Sequence, residues 1–225
     1  MTVEDLSHVL SAAKVVLFDF DGPICSVFDG YPAPRITEEL RQLAGIVRDD
    51  LVDALAKASS PHDLLLATAD DQVLARRIEE ALQDAEMRAV ESALPTPGAA
   101  DCLAACRRTA RKAAIVSNNY AGSVRSYLAR AGLADLIMHV EGRDPGNPNL
   151  MKPSPHLIEK AAQALDVAAA DCVFIGDQTS DMEAGRAAGA RTVGYANKPG
   201  KADALAAAGA DVIVETMTEL ATSIR

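Results

Sequence analysis

Asp19 and Asp21 stand two residues apart at the end of a short apolar run, with Gly22 directly after them. Glycine lets the chain turn there, so both carboxylates can face one pocket and divide cation binding and proton transfer between them. A lone Asp-x-Asp is often only a turn. Here, however, three further polar groups close apolar stretches: Ser117-Asn118-Asn119, Lys152 ahead of Ser154-Pro155, and Gly176-Asp177-Gln178-Thr179-Ser180-Asp181. Asp177 together with Asp19 offers an all-oxygen donor set, the kind a hard cation such as Mg²⁺ takes. Asp181 has two readings, support for that cation from one step further out and a first-turn acid favoured by the helix dipole. Ser154 as N-cap and Pro155 at the first helical position would set the Lys152 ammonium beside backbone donors and a positive helix end, which favours phosphate.

These groups need elements that bring them to one edge. From residue 112 onward the chain alternates short apolar strands with helical patterns. Strands are expected at Lys112–Val116, Leu136–Val140, Cys172–Ile175, Arg191–Tyr195 and Val212–Val214. Between them, helices are expected at Ser123–Ala131, Ser154–Leu165, Asp181–Ala188 and Ala202–Ala208. Such alternation implies βαβ crossovers and an α/β fold with a doubly wound parallel sheet. The runs Val15–Phe18 and Cys172–Ile175 are apolar without alternation, as strands covered on both faces must be. Residues 24–93 break the rhythm: no strand is evident, and Leu74, Ile78, Leu82, Ala85 and Ala89 make an apolar stripe with Glu79, Glu80 and Glu86 on other faces. Tyr31-Pro32-Ala33-Pro34 and Pro95-Thr96-Pro97-Gly98 bound this insert. The division expected is a core of residues 1–23 and 94–225 with a small helical domain at 24–93, either a lid over the strands' carboxyl ends or a subdomain that only packs.

In this order, the four strand-end groups resemble the haloacid dehalogenase-like hydrolase superfamily, in its phosphatase branch with a helical C1-type cap after the first strand, as in phosphoglycolate phosphatase-like members. The resemblance spans nearly the whole chain, from Asp19–Gly22 through Ser117 and Lys152 to Gly176–Asp181, and continues through Met182-Glu183-Ala184-Gly185. It implies a Mg²⁺-dependent phosphomonoester hydrolase acting on a small phosphorylated metabolite. Asp19 resembles the nucleophile that forms an aspartyl phosphate, and Asp21 the general acid and then base. Asp19, the Asp21 backbone carbonyl, Asp177 and Asp181 correspond to the metal site, and Ser117, Asn118 and Lys152 to the phosphate site. One departure is Gly22-Pro23 where the family usually has Gly-Thr, which removes a hydroxyl and a backbone donor from the loop. A phosphomutase shares these groups. A phospho-accepting module without turnover is the reading from another class. A dehalogenase fits less well, because such relatives lack the second acid of the first motif.

Charge supports the role given to Asp21. Four carboxylates against Mg²⁺ and Lys152 leave the pocket negative before a phosphate arrives, so the carboxyl farthest from the metal should hold a proton.

Composition narrows the partners. Lys and Arg total 22 against 32 Asp and Glu, a net charge of −10, which repels nucleic acid and anionic membrane surfaces alike. Aromatic content of 4% leaves few stacking platforms. No apolar run of membrane-spanning length occurs, and Glu4 and Asp5 replace the basic start of a signal peptide, so a cytoplasmic location is expected. The four cysteines read as small core residues, and the four histidines show no ligand spacing. Arg143 and Asp144 fall in a Gly-, Pro- and Asn-rich stretch read as an exposed loop, with substrate contact the alternative. Tyr31 and Arg35 are candidates for reading the organic part of a substrate.

Overall fold

The computed structural model describes residues 3–48 and 55–225. Residues 1–2 of the expected core and 49–54 of the expected insert lie outside it. Its main sheet has six parallel strands: β1 (Val15–Phe18), β4 (Lys112–Val116), β5 (His139–Glu141), β6 (Cys172–Gly176), β7 (Arg191–Tyr195) and β8 (Val212–Val214). The spatial order is β5-β4-β1-β6-β7-β8. β1 therefore lies inside the sheet, and its four residues are fully buried.

Alternate residues of β1 enter different cores, as a pleated strand requires. Val16 and Phe18 pack with Leu10, Cys102, Cys106 and Tyr127 on one face. Val15 and Leu17 pack with Leu157, Ile158 and Ala184 on the other. All four cysteines are buried and free, in keeping with their core reading.

The insert supplies helices Ala33–Val47, Pro61–Ala67 and Gln72–Ser92, which share a third apolar cluster built on Ile36, Leu40, Leu64, Leu74, Ile78 and Leu82. Two of these helices start on side-chain caps: Ser60 Oγ accepts from Asp63 N at 3.1 Å, and Asp71 Oδ1 from Leu74 N at 3.1 Å. Among the described residues, no helix is long and apolar enough to cross a membrane.

The structure corrects four local expectations. The insert does contain strand: β2 (Cys25–Ser26) pairs antiparallel with β3 (Leu94–Pro95) and ties its two ends together. Two residues give too little alternation to register as a pattern. The helix near Lys152 begins at His156, one turn position later than the Ser154-Pro155 signal implied, with Ser154 Oγ accepting from His156 N at 3.4 Å. The third strand starts at His139, because Ala134–Leu136 closes a 3₁₀ turn first. Finally, helices Val3–Ser11 and Met217–Ser223 bracket the chain and were not anticipated.

Candidate active site

Three neighbouring strands deliver the central groups. Asp19 follows β1, Asp177 follows β6 and Ser117 follows β4, and the registers Phe18↔Ile175 and Phe18↔Ile115 set the three ends side by side. The backbone continues the ladder one step further: Asp19 N donates to Ile175 O at 2.8 Å and Ser117 N to Glu141 O at 3.0 Å. Asp181 arrives from the first turn of helix Thr179–Ala188, where its Oδ2 accepts from Gln178 N at 2.9 Å. The first-turn reading of Asp181 thus describes an observed helix cap, and the same residue also lies in the acidic cluster.

Asp19, Asp177 and Asp181 are buried, and one oxygen of each lies within 4.8 Å of the others. The surrounding backbone leaves them room. Gly22 has φ +108, and a Cβ built there would lie 2.6 Å from Asp177 Cγ and 2.9 Å from both its oxygens. A Cβ at Gly176 would lie 2.3 Å from Asp181 Oδ2. An oxygen-only cluster in a space that side chains are kept out of fits a hard divalent cation.

Lys152 is buried between two of these acids, its Nζ 2.8 Å from Asp19 Oδ1 and 2.6 Å from Asp181 Oδ1, with Val116 O at 3.3 Å. It is therefore held by carboxylates and a strand carbonyl, where the sequence reading had placed it at a helix end. Asn118 fixes its backbone: Lys152 N donates to Asn118 Oδ1 at 2.8 Å, and Asn118 Nδ2 donates to Lys152 O at 3.1 Å. Ser117 Oγ donates to Asn119 Oδ1 at 3.1 Å.

Lys152 is shared between Asp19 and Asp181, and one ammonium does not offset the burial of two carboxylates. Burial pushes the Asp19 carboxyl up to about 7; Lys152 pulls against that shift and Asp181 adds to it. Burial works against a charged Lys152, but Asp181 and Asp19 outweigh it and raise its pKa. Asp21 is also raised, by burial first, against the hydrogen bond that Val27 N donates to its Oδ1 at 2.9 Å. In its loop, Thr96 Oγ1, from the connection that follows the insert, donates to Gly22 O at 2.5 Å.

Two groups on Asp177 escaped sequence reading. Lys201 Nζ pairs with Asp177 Oδ2 and donates to its carbonyl at 2.9 Å, and Asn197 Nδ2 donates to Oδ2 at 3.1 Å. The signal was present, because Asn197 stands just past the carboxyl end of β7 as the other polar groups do past theirs.

A cleft of about 480 Å³ opens above these groups, with Asp19, Asp21, Ser117, Asn118, Lys152 and Asp181 in its core wall. The insert's side presents Phe28, Ser60, His62, Asp63 and Leu66. Tyr31 and Arg35 are not in the lining. Tyr31 donates to Glu39, and the Arg35 guanidinium stacks 5.3 Å over its ring. Arg143 is no exposed loop residue either: it is buried and paired with Glu79 and Glu86, at 2.7 and 2.8 Å. Those two acids lie on the covered side of their helix with Leu82 and Ala89, at spacings of three and four, where the sequence reading had put them on other faces. Two acids on a buried stripe require a buried cation, which was the available clue.

A family model described as haloacid dehalogenase-like hydrolase matches residues 13–189. A phosphoglycolate phosphatase of Rhodospirillum rubrum is 27% identical over 207 residues, covering 83% of this chain and 82% of that protein. An N-acetylmuramic acid 6-phosphate phosphatase of Pseudomonas aeruginosa is 28% identical over 218 residues, 92% of each. Among solved structures, a hydrolase of Deinococcus radiodurans described with bound phosphate and sodium is 28% identical, covers 93% of both chains and superposes with a TM-score of 0.60.

Proposed function

This chain belongs to the haloacid dehalogenase-like hydrolases, and from that premise we propose a Mg²⁺-dependent phosphatase of a small phosphorylated metabolite that works through an aspartyl phosphate on Asp19. The observation that carries the reading is the buried cluster of Asp19, Asp177 and Asp181 with the Lys152 ammonium 2.8 Å from Asp19, of which Asp19, Asp181 and Lys152 line a cleft. The relatives named as phosphatases support the hydrolase class.

Asp19, Asp177, Asp181 and the Asp21 carbonyl would hold the cation, which when bound would neutralise charge on the phosphoryl oxygens. The chain's own groups then divide the work. Asp19 attacks phosphorus as the P–O bond to the alcohol breaks, and protonated Asp21 gives its proton to the departing oxygen. Asp21, now a carboxylate, accepts a proton from the water that cleaves the aspartyl phosphate, returning Asp19 and releasing phosphate. The raised pKa of Asp21 is the property that its first role needs. Ser117 and Lys152 are the phosphate donors. Of the three Lys152 contacts, the 3.3 Å one to Val116 O is the longest and the one a phosphoryl oxygen would replace.

Asp19→Asn is expected to abolish release of inorganic phosphate from p-nitrophenyl phosphate with Mg²⁺ while leaving the circular dichroism spectrum unchanged. Full activity in that variant would eliminate the nucleophile. The two relatives are named for phosphoesters of very different size, so a panel of phosphorylated metabolites is the measurement that identifies the substrate.

A further inference from the structure

Across the cleft from the acids, the insert's wall carries polar groups that the proposed mechanism does not use. His62 and Asp63 stand in the first turn of helix Pro61–Ala67, and Phe28 and Leu66 add apolar surface beside them. The two ring nitrogens of His62 differ. Nε2 is buried, 3.4 Å from Glu86 Oε1, whereas Nδ1 is open to solvent and has no hydrogen-bond partner among the described residues. Glu86 has no solvent exposure, and Arg143 Nη1 donates to both its oxygens at 2.8 Å. Burial alone would favour a neutral Glu86, but Arg143 and then His62 outweigh it and hold the carboxyl below its usual range. A carboxylate only accepts, so the nitrogen turned toward it carries a hydrogen whether the ring is neutral or charged. Nδ1 is therefore the nitrogen left for a ligand, accepting from it when the ring is neutral and donating to it when the ring is charged.

The ring lies close enough to Asp21 for its charge to act on that carboxyl, which puts it on the side where the alcohol departs. Positive charge is scarce there. Lys152 is the only lysine or arginine in the lining, and Asp19 and Asp181 hold it. The insert's wall adds a negative group instead, Asp63, whose Oδ2 accepts from Ser59 Oγ at 2.6 Å. A carboxylate on the organic part of a substrate would be repelled by Asp63 and could take a hydrogen bond from Nδ1 only when the ring is charged. A hydroxyl both donates and accepts, so it suits Nδ1 in either state and can donate to Asp63 as well.

We infer that the cleft takes the phosphate ester of a neutral, polyhydroxylated compound and discriminates against esters that carry a carboxylate, with His62 Nδ1 bonding a hydroxyl of the organic part. The inference rests on the phosphatase reading and narrows it to a substrate class. Two pairs of esters that differ only by CH₂OH against COO⁻ test it: glycerol 3-phosphate with 3-phosphoglycerate, and glucitol 6-phosphate with 6-phosphogluconate. With Mg²⁺ present, kcat/KM for the polyol member of at least one pair is expected to exceed that of its acid about tenfold or more. His62→Phe keeps a ring but removes both nitrogens. It is expected to lower kcat/KM for the preferred polyol ester about tenfold more than for p-nitrophenyl phosphate, whose leaving group has no hydroxyl. Asp63→Asn, which removes the negative charge from the same wall, should narrow the polyol-to-acid ratio about threefold.

Equal or faster turnover of the acid in both pairs would overturn the inference, as would a folded His62→Phe that slows the polyol ester and p-nitrophenyl phosphate by the same factor. The matched pairs are measured on the unaltered protein, so they decide the substrate class even if His62→Phe does not fold. Wild-type protein that hydrolyses p-nitrophenyl phosphate but none of the four esters would refute the substrate class alone. Wild-type protein that hydrolyses no ester at all would sink the phosphatase reading and the inference with it.

Discussion

Asp19 carries the largest electrostatic load in the site, and its titration makes a stability prediction with a definite sign. In the metal-free protein its carboxyl titrates at about 7, against an ordinary 3.8, because burial penalises the anion more than Lys152 relieves it. The folded state therefore holds that proton more tightly than the unfolded chain does. Between those two values stability must fall as pH rises. Asp21, raised by the same burial, contributes with the same sign. Glu86 is lowered and acts in the opposite sense, but only below its ordinary value of 4.5, outside a window of pH 5 to 8. Metal-free protein is accordingly expected to melt at progressively lower temperature from pH 5 to pH 8, and Asp19→Asn should flatten most of that slope. Scanning calorimetry in EDTA at several pH values measures it. A melting temperature that climbs with pH in both proteins would show that Asp19 is already ionised in the fold.

At the scale of elements, the turn after β1 is the piece on which the cluster depends, and Gly22 is its least replaceable residue. With φ +108 and Asp177 Cγ 2.6 Å from where a Cβ would stand, Gly22→Ala strains the backbone and pushes on a carboxylate at once. The first effect should cost about 1–3 kcal/mol of stability. Displacing Asp177 by even part of an ångström should lower kcat/KM on the order of a hundredfold. Thermal melts and steady-state kinetics on the purified variant separate the two, and wild-type kinetics would mean that the turn does not set the cluster. Much of this element was legible in the sequence, because buried parallel strands read as unbroken apolar runs whose polar ends are then conspicuous; Asp19, Ser117 and Asp177 stand out that way, and Lys152 and Asp181 by their places before and within the first turn of a helix. What stayed hidden depends on partners distant in the chain. Arg143 looked like a loop residue because Gly, Pro and Asn surround it, whereas its neutralising acids lie 64 and 57 positions away on another element. β2 and β3 are invisible for a related reason, since a two-residue pairing is made by the closure of the insert and not by any local pattern.

For the molecule as a whole, two fields of opposite sign act on an incoming phosphoester. The chain's net charge of −10 repels an anion from any direction of approach. Inside the cleft, Lys152 and the cation proposed for the acidic cluster attract it, but only at short range, and the acids around them cancel most of that charge before it reaches solvent. Salt distinguishes the two. The Debye length shrinks from about 30 Å at 0.01 M ionic strength to about 8 Å at 0.15 M, so salt screens the diffuse repulsion strongly and contacts made within the buried site very little. If approach is governed by the whole-molecule field, kcat/KM for p-nitrophenyl phosphate at saturating Mg²⁺ should rise about two- to fivefold over that range, with kcat unchanged because the bound complex no longer feels the distant charge. The dependence runs opposite to that of an electrostatically steered enzyme. Stopped assays across a sodium chloride series give the slope directly. A steep fall in kcat/KM would mean that the cleft projects a positive potential well beyond its mouth, and that the charges paired here around Asp177 and Lys152 are separated in the working enzyme.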